Sequence, residues 1–578
     1  MFQRISIPAP EGRLLALLLA AFAPLVAFAR TPAAVQQICR RPAPGSVVAE
    51  PPDLRSHQHR LKLDLTYSNF KTPGGQEEYC YRDQNGNQAP TLRLQPGDTL
   101  ILRLKNRLTA VSPAMRAATM QQPSMPVADP CAAAQMTALS TNLHFHGLTV
   151  PPVCHEDDVL RTMIQSGSPP FEYRFRIPAD ESPGLYWYHP HVHGFTNPQV
   201  LGGASGALIV EGIERANQQL AGLPDRTFVI RDQELLHPGA EPPKSNGMPA
   251  PPVLRDAEGD ILNTGNGGGK PAKDLSINFV PVPWPNYPPA IIKVAAAQKQ
   301  LWRVLNASAI TYLDLQILVQ NQPQSLGVVS LDGEPIDENG MARNRILWVT
   351  HVFLPPAGRV EFIFKGLPKG TRAQWITRSV DTGPAGENDP LRPLATVITA
   401  GHAPTPRLEA SSTPLPRAAS VWLGDVKPVR TRTLYFSERP EDPASPQSPT
   451  VFMITVDGQT PAPFDPHTTE PNITTRQGDV EDWVIENRSR EMHAFHIHQL
   501  HFLLTKWNGM PVDEPFLRDT INVPFWDGKS ARYPSVTLRM DFRDPGTVGT
   551  FVYHCHLLEH EDGGMMGTIR VLPRTIPR

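Results

Sequence analysis

Charged side chains are scarce in this chain, and no run of basic residues interrupts it. Lys, Arg, Asp and Glu make up 19% of the 578 residues, and the formal net charge is -2. A protein that binds nucleic acid needs clustered positive charge for the phosphate backbone. The composition therefore argues against nucleic acid as a partner.

Long apolar segments are also rare, and the one near the amino terminus has the pattern of an export signal. Arg4 and Arg13 precede the apolar stretch Leu14–Ala23, and Ala27-Phe28-Ala29 supplies an A-x-A cleavage site. We expect residues 1–29 to be a signal peptide and the mature protein to be periplasmic or extracellular, without membrane contact. A retained anchor helix is the alternative. Because no adjacent arginine pair precedes the apolar stretch, a twin-arginine route is not supported.

Proline, by contrast, is abundant, at 64 residues, which favours strands and loops over long helices. The length exceeds that of one ordinary core and predicts about three domains. Three similar strand-turn-strand segments support that number: Thr91–Asn106, Ile291–Asn306 and Ile473–Asn487. In each, a turn residue lies nine positions before the final Asn: Gly97, Ala297 and Gly478. Alternating polar and apolar residues around such turns predict antiparallel strands packed as β-sandwiches.

The segment from Tyr553 to Met565 carries the most specific chemistry. Cys555, His560 and Met565 together are a thiolate, an imidazole and a thioether, and this is the ligand set of a type 1 (blue) copper that still lacks one imidazole. His554 and His556 flank Cys555 directly. Because neighbouring residues of a strand point to opposite faces, both histidines are predicted to face a different site from Cys555.

Three further histidine pairs complete the pattern. They are His144-Phe-His146, His189-Pro-His191 after Trp187-Tyr188, and His496-Ile-His498 preceded by His493. Two histidines separated by one residue lie on the same face of a strand, so both reach one cavity. Together the four groups resemble the multicopper oxidases, a family that includes laccases and bacterial cuprous oxidases, from about residue 60 to the carboxyl terminus.

The resemblance implies an all-β protein of three consecutive cupredoxin-like Greek-key β-sandwich domains. We place domain 1 at residues 50–215, domain 2 at 216–410 and domain 3 at 411–578, with the segment Gly401–Arg417 as the second linker. In such proteins a trinuclear centre lies between domains 1 and 3. Domain 2, in which His237, His351 and His402 are scattered singly, is expected to bind no catalytic copper.

The family pattern also assigns ligands for four copper ions. Type 1 copper takes His493, Cys555 and His560, with Met565 as the weak axial ligand, although the adjacent Met566 is easily confused with it. Type 2 copper takes His144 and His496. The type 3 pair takes six histidines: His146, His189, His191, His498, His554 and His556.

Other histidines compete with these assignments. His191 and His193 also form an HxH pair, but Trp187-Tyr188 before His189 matches the family motif and favours His189 and His191. His57 and His59 form another pair, which we interpret as exposed strand residues. His155, His467 and His501 are expected to be structural or at the surface.

Oxygen reduction needs protons as well as electrons, and three acidic residues are candidates to supply them. Glu561 directly follows His560 and matches the family's proton-relay position. Asp157 and Asp158 follow the first histidine pair and are weaker candidates, with a solvated loop as the alternative.

Cysteine usage agrees with export. Of five cysteines, four remain beside Cys555, and an even number in an oxidising compartment predicts disulfides. Three pairings are possible. We favour Cys39–Cys80 and Cys131–Cys154 because those partners are near in sequence.

The resemblance implies an oxidase that takes electrons singly from a small donor and reduces O2 to water. Phenols or related aromatics are the donors expected from the family as a whole. Oxidation of Cu(I) or Fe(II) is the alternative. Thioethers bind Cu(I), and Met115, Met120, Met125 and Met136 lie close together in one Pro- and Ala-rich loop, although a loop with methionines placed by chance explains the same pattern. A copper-free scaffold protein is a remote alternative, since every ligand position is kept. A two-domain nitrite reductase is excluded by the three repeats. We expect a monomer.

Overall fold

β-Strands dominate the structure, a computed structural model that describes residues 39–110, 129–132, 136–240, 253–336, 344–400, 421–445 and 448–574. The predicted signal peptide, the linker Gly401–Arg417, and Met115, Met120 and Met125 lie outside these ranges. The strands form six main sheets that pack as three β-sandwiches, which confirms the all-β class. Among the described residues, no helix is long and apolar enough to cross a bilayer.

The first sandwich packs the sheet β1-β4-β11-β10-β7 on the sheet β3-β2-β5-β9. Two short strands, β6 and β8, pair beside it. Its strands are β1 (Asp53–Arg55), β2 (Arg60–Lys71), β3 (Glu77–Asp83), β4 (Thr91–Leu94), β5 (Thr99–Asn106), β6 (Ser140–Thr141), β7 (His144–His146), β8 (Ile164–Gln165), β9 (Phe171–Arg176), β10 (Gly184–His189) and β11 (Gly206–Val210).

The second sandwich packs the sheet β14-β13-β12-β16-β23-β19-β20 on the sheet β15-β25-β24-β17-β18, with β21 and β22 as side strands. Its strands are β12 (Asp225–Gln233), β13 (Asp274–Ile277), β14 (Val280–Val282), β15 (Ala290–Val294), β16 (Gln300–Asn306), β17 (Leu313–Val319), β18 (Gln322–Pro323), β19 (Leu326–Leu331), β20 (Glu334–Pro335), β21 (Leu347–Val349), β22 (Val352–Leu354), β23 (Arg359–Phe364), β24 (Arg372–Thr377) and β25 (Arg392–Thr399).

The third sandwich packs the sheet β27-β26-β29-β34-β31-β32 on the sheet β28-β36-β35-β30-β33. Its strands are β26 (Arg430–Pro440), β27 (Thr450–Val456), β28 (Ile473–Arg476), β29 (Val480–Asn487), β30 (His493–Ile497), β31 (Phe502–Trp507), β32 (Met510–Pro511), β33 (Thr520–Val523), β34 (Ser535–Asp541), β35 (Gly549–Cys555) and β36 (Met566–Leu572).

Helices are few and short in the described chain. They are α1 (Thr196–Leu201), α2 (Ile213–Ala216) and α3 (Leu558–Asp562), with 3-10 turns at Gln218–Leu220, Leu423–Asp425 and Pro545–Thr547. Helices α1 and α3 pack against each other, and Val200, Ala309, Ile310 and Leu558 form a small apolar cluster there. This cluster joins residues of all three sandwiches.

The three repeated segments each form two strands, as predicted, but the antiparallel expectation holds only in part. The two strands of one copy lie in different sheets. The second strand runs parallel to one neighbour, β5 to β2, β16 to β12 and β29 to β26, and antiparallel to the other, β5 to β9, β16 to β23 and β29 to β34. Alternation of polar and apolar residues reports that one face is buried, and it carries no information about the direction of the neighbouring strand.

Both favoured disulfides are confirmed. Cys39 is bonded to Cys80 and Cys131 to Cys154, while Cys555 is free and buried. The domain limits near residues 215 and 410 stay a prediction. The strands that flank the first limit are β11, which ends at Val210, and β12, which begins at Asp225.

Candidate metal centre

The first histidine pair is oriented by the core of the first sandwich. Phe145 lies between the two histidines and packs on Tyr173 and Phe175, at ring-centroid distances of 5.6 and 4.7 Å. Because alternate residues of β7 face opposite sides, both imidazoles point away from that core. Strand β10 pairs with β7 in the register His189 opposite His144, which brings a third imidazole to the same end.

The third sandwich repeats this arrangement with β30 and β35. Phe495 is paired with Cys555, and His496 with His554, so one face of the pair carries the thiol and the other carries imidazoles. Cys555 lies near His493 and His560, whereas its neighbours His554 and His556 turn to the histidines of the first sandwich. The alternation expected from the sequence is what the structure shows for these residues.

Eight buried histidines converge between the first and third sandwiches, and we call them the histidine cluster. Their ligand nitrogens approach one another in overlapping groups of three, each within 4.8 Å. In one group, His191 and His498 each place Nε2 3.3 Å from Nε2 of His554. Two further groups are His146, His189 and His556, and His144, His146 and His496.

Hydrogen bonds fix which nitrogen of several rings faces inward. Nδ1 donates to a backbone carbonyl in His189 (Pro190, 2.9 Å), His496 (Asp519, 2.8 Å) and His554 (Cys555, 2.9 Å). The opposite Nε2 is therefore a lone-pair donor, the form that binds metal. Several ring nitrogens are buried without a hydrogen-bond partner: Nε2 of His144, His189 and His496, Nδ1 of His146 and His498, and both of His556.

Burial holds these imidazoles in the neutral form. Desolvation, reinforced by the neighbouring histidines, lowers the pKa of His144, His191 and His498 well below the usual value. Burial also lowers the pKa of His554 to about 4. A cation bound by several of these buried, unpartnered lone pairs would stabilise the arrangement.

A second site, which we call the cysteine site, comprises His493, Cys555, His560 and Met565. Cys555 Sγ lies 3.6 Å from Nδ1 of His493 and 3.8 Å from Nδ1 of His560, and those two nitrogens are 3.2 Å apart. All three side chains are buried. Burial raises the pKa of the Cys555 thiol well above its usual range, so a thiolate here also needs a compensating cation.

Met565 and Met566 lie in different surroundings. Met565 belongs to the apolar cluster that includes Cys555, and its backbone carbonyl accepts a hydrogen bond from the Cys555 amide at 3.0 Å. Met566 instead packs with Val159 and Val552. Sulfur at position 565 is therefore the one on the side of the cysteine site.

In both imidazoles of the cysteine site, the nitrogen that faces away from Cys555 lies beside the carboxyl group of a glutamate. Nε2 of His493 lies 2.8 Å from Oε1 of Glu438 and 2.7 Å from Oγ of Ser489, and Nε2 of His560 lies 3.2 Å from Oε1 of Glu491. Although burial opposes it, His493 lowers the pKa of Glu438 to about 2. Such carboxylate partners orient metal-binding histidines and raise their basicity.

The three candidate acids lie in different places. Glu561 is fully buried with its carboxylate 3.5 Å from Nδ1 of His191 and 3.6 Å from Nδ1 of His554, and it accepts a hydrogen bond from Thr196. Asp157 is also buried and lies 3.0 Å from Nδ1 of His144. Asp158 bonds the backbone of Arg161, away from the imidazole rings.

Histidines that the sequence left open fall outside both sites. The ring of His193 packs on Phe464, 5.0 Å between centroids, while His191 belongs to the histidine cluster. His57 and His59 are exposed, as expected. His501 is buried against Glu334 and Asp519, so it is structural in its contacts.

Sequence reasoning missed the residues that support the ligands. Glu438 and Glu491 at the cysteine site, and Asp519 and Gln499 at the histidine cluster, are in no motif. Gln499 donates to Asp157 at 2.6 Å, and Asp519 holds His496. No signal in one sequence marks them, because long-range packing alone brings them to the ligands.

The ligand chemistry at both places fits copper. Imidazole nitrogen suits copper generally, and a thiolate with two imidazoles and a nearby thioether is the blue-copper set. Buried polar atoms normally have a hydrogen-bond partner, and the ring nitrogens of the histidine cluster that have none are accounted for if they bind a metal ion.

Comparison with known proteins supports the same chemistry. Two multicopper oxidase family models match residues 131–215 and 443–575. The chain is 24% identical over 497 residues to the multicopper oxidase mco of Staphylococcus haemolyticus, covering 84% of this chain and 83% of that protein.

Solved structures are similar along nearly the whole length. A multicopper oxidase of Campylobacter jejuni, described as a metallo-oxidase, has a TM-score of 0.61 at 24% identity, covering 92% of this chain and 96% of that one. A laccase-like multicopper oxidase, CueO, of Ochrobactrum sp. has a TM-score of 0.58 at 20% identity, covering 91% and 100%. These likenesses establish the fold as three cupredoxin-like domains. The matching family models, together with the ligand geometry, show that the chain belongs to the multicopper oxidase family and is a copper-dependent oxidoreductase.

Proposed function

We propose that this protein couples the one-electron oxidation of a reducing substrate to the four-electron reduction of O2 to two waters, using four copper ions. The type 1 ion is held by His493, Cys555, His560 and Met565. The histidine cluster holds the other three, with His144 and His496 on type 2 copper and His146, His189, His191, His498, His554 and His556 on the type 3 pair. The observation that carries this proposal is that Cys555 and its neighbours His554 and His556 join different ligand groups.

Bound copper would supply the one-electron redox chemistry. The chain supplies the protons and the covalent path between the cysteine site and the histidine cluster. Strand β35 connects the two sites through the backbone from Cys555 to its flanking histidines, which is the shortest covalent path between the two ligand sets. Glu561 holds a proton beside His191 and His554, because burial, together with Asp562, raises its pKa well above the usual value. Asp157 orients His144 and is the second candidate for proton delivery.

We propose phenols or related aromatics as the donors, in the manner of a laccase. A donor at this surface meets Glu438 before the buried His493, because the Glu438 side chain is 15% exposed and the imidazole is fully buried. A carboxylate at that position accepts a phenolic proton as the electron leaves, which is a general-base role.

The Glu438 carboxylate also favours a second candidate, oxidation of a metal ion. Glu438 places negative charge at the outer edge of the His493 imidazole, whereas burial and the neighbouring Glu438 raise the pKa of Glu491 beside His560. Negative charge there attracts Fe(II) or Cu(I) and stabilises the more highly charged product. An exported, monomeric protein is part of the proposal, and the two disulfides support an oxidising compartment.

Oxygen uptake with a phenol, Fe(II) and Cu(I) as alternative donors tests the proposal. Four copper ions per chain and uptake with at least one donor are expected, whereas a copper-free protein without uptake would support a scaffold role. The variant Glu438→Gln separates the donors. It should slow oxidation of a metal ion more than that of a neutral methoxyphenol. If the oxidation of all donors slowed equally, Glu438 would act by tuning the basicity of His493 and not by contacting the donor.

A further inference from the structure

We propose that Arg359, a residue of the middle sandwich, positions the histidine cluster through Asp519. This inference rests on the proposed function. Arg359 begins β23 and is fully buried. Its guanidinium donates two parallel hydrogen bonds to the Asp519 carboxylate, from Nη1 to Oδ1 at 2.7 Å and from Nη2 to Oδ2 at 2.6 Å. A bidentate pair of this kind fixes direction as well as charge.

Asp519 contacts one histidine from each terminal sandwich. Its backbone carbonyl accepts Nδ1–H of His496 at 2.8 Å, and its Oδ1 lies 3.4 Å from Nε2 of His146. The opposite nitrogens, Nε2 of His496 and Nδ1 of His146, are buried without a hydrogen-bond partner. The Asp519 contacts therefore select which nitrogen each ring presents as ligand, and His146 presents Nδ1.

The guanidinium is itself held by three backbone carbonyls. Nε donates to Leu185 at 3.1 Å, Nη1 to Ala357 at 3.3 Å and Nη2 to Asp332 at 2.8 Å. Leu185 lies on β10, the strand that ends at His189. One side chain of the middle sandwich thus bonds both the strand that carries a cluster histidine and the carboxylate of Asp519, whose backbone carbonyl and carboxylate contact two other cluster histidines.

The glycine of the His144-Phe-His146-Gly147 motif makes room for this pair. Gly147 has φ +92, and a Cβ built there would lie 2.5 Å from Nη2 of Arg359 and 2.9 Å from Oδ2 of Asp519. The ion pair therefore occupies the space that a side chain directly after His146 would fill. This places the Arg359–Asp519 pair against the first histidine motif independently of its hydrogen bonds.

The variants Arg359→Lys and Asp519→Asn test the positioning role. Lysine keeps the positive charge but cannot form the two parallel hydrogen bonds, and asparagine keeps the shape of Asp519 but loses its charge. We expect either change to weaken copper binding at the histidine cluster by about 10- to 100-fold, the range found when partners of metal-binding histidines are removed. The paramagnetic resonance signal of type 2 copper should shift, while the blue band of the cysteine site stays.

Arg303→Met provides a matched control. Arg303 is also a fully buried arginine of the middle sandwich, and its partners Asp225 and Glu361 are acids that touch no cluster histidine. Its loss should lower the thermal midpoint without changing copper affinity or the resonance signal. Copper affinity is measured by competition with a chelator.

The outcomes separate the two proposals. A wild-type protein that binds no copper at the histidine cluster would overturn both. Four coppers in the wild type, with unchanged affinity and resonance signal in Arg359→Lys and Asp519→Asn, would overturn the positioning role alone. A change in Arg303→Met as large as theirs would also overturn it, because the effect would then follow stability. If Asp519→Asn fails to fold, the more conservative Arg359→Lys still decides.

Discussion

At the residue scale, the buried thiol of Cys555 is the group that most clearly needs copper. Burial opposes the thiolate, so a bound cation has to stabilise its charge. Cys555→Ser removes the thiolate ligand and should therefore bind no type 1 copper. We expect the variant to lose the blue colour and the activity while type 2 copper stays detectable by paramagnetic resonance. Visible absorption and resonance spectra measure both, and a Cys555→Ser protein that stayed blue would refute the assignment.

Met565 and Met566 differ in what replacement should do. An axial thioether is a weak, long ligand that mainly tunes potential. Met565→Leu should therefore keep its copper and activity and raise the type 1 potential. Met566→Leu, in the cluster with Val159 and Val552, is the control and should leave the potential unchanged. Redox titration of the blue band compares them, and a shift from Met566 instead would move the assigned axial ligand by one residue.

Glu561 should matter for oxygen reduction and not for substrate oxidation. Burial raises the pKa of Glu561 well above its usual value and that of Asp562 to about 7, so both groups hold protons at pH values where free carboxyl groups have lost them. Reoxidation by O2 should therefore slow as pH rises through the raised pKa of Glu561. Glu561→Gln should flatten that dependence and slow reoxidation by about 10²-fold.

Stopped-flow bleaching and recovery of the blue band separate the two half-reactions of this variant. Bleaching by substrate without oxygen should keep its normal rate. Recovery as fast as in the unmodified enzyme would transfer the proton route to Asp157, Asp158 or water.

The candidate ligand residues could be predicted from the sequence because their short spacings depend on local structure alone. Cys555 with its two flanking histidines, and the HxH pairs, need only the geometry of one strand. The acids that hold the imidazoles were not readable. Glu438 is 55 positions from His493, and only the packing of the third sandwich brings them together.

At the scale of elements, the final Asn of each repeat has a role that the repeat alone did not reveal. Asn106, Asn306 and Asn487 are all buried, and each side chain bonds the loop that follows. In the third copy, the side-chain oxygen of Asn487 also accepts a hydrogen bond from the Ser489 hydroxyl, which lies 2.7 Å from Nε2 of His493. The final Asn of each repeat therefore fixes the loop that follows it, and in the third copy that loop supports the cysteine site.

Asn487→Ala and Asn306→Ala form a matched pair. Each change leaves two or three buried carbonyls and an amide without partners, at a cost of about 1–3 kcal/mol for each unpaired group. Both should lower the thermal midpoint, but Asn487→Ala alone should shift the blue band. An equal spectral change in Asn306→Ala would show that the effect is general loosening.

At the scale of the whole molecule, the histidine cluster joins the two terminal sandwiches. Copper bound there stabilises the folded chain by mass action, by about 4 kcal/mol for a site occupied at 1,000 times its dissociation constant. Removal of copper should therefore lower the thermal midpoint, and re-addition should restore it up to four equivalents. Calorimetry of the apo and loaded protein checks this, and equal midpoints would contradict a ligand set shared between sandwiches.

The number of sandwiches was predictable from the repeats, but their mutual arrangement was not. Nothing in the local pattern around His144 or His496 places those residues together; the family resemblance supplied that expectation. The strand directions were also beyond local reasoning, because β2 and β5 become parallel neighbours only through the path of the whole chain.

The division of the cluster between the first and third sandwiches has a consequence for biogenesis. His191 and His493 are separated by about 300 residues, so the nascent chain presents half of the ligands long before the rest. Neither half encloses a complete pocket, and copper captured early would meet an unfinished set. We therefore expect complete metal loading only after strand β35 has docked, and we expect a chain truncated before β35 to show no redox activity.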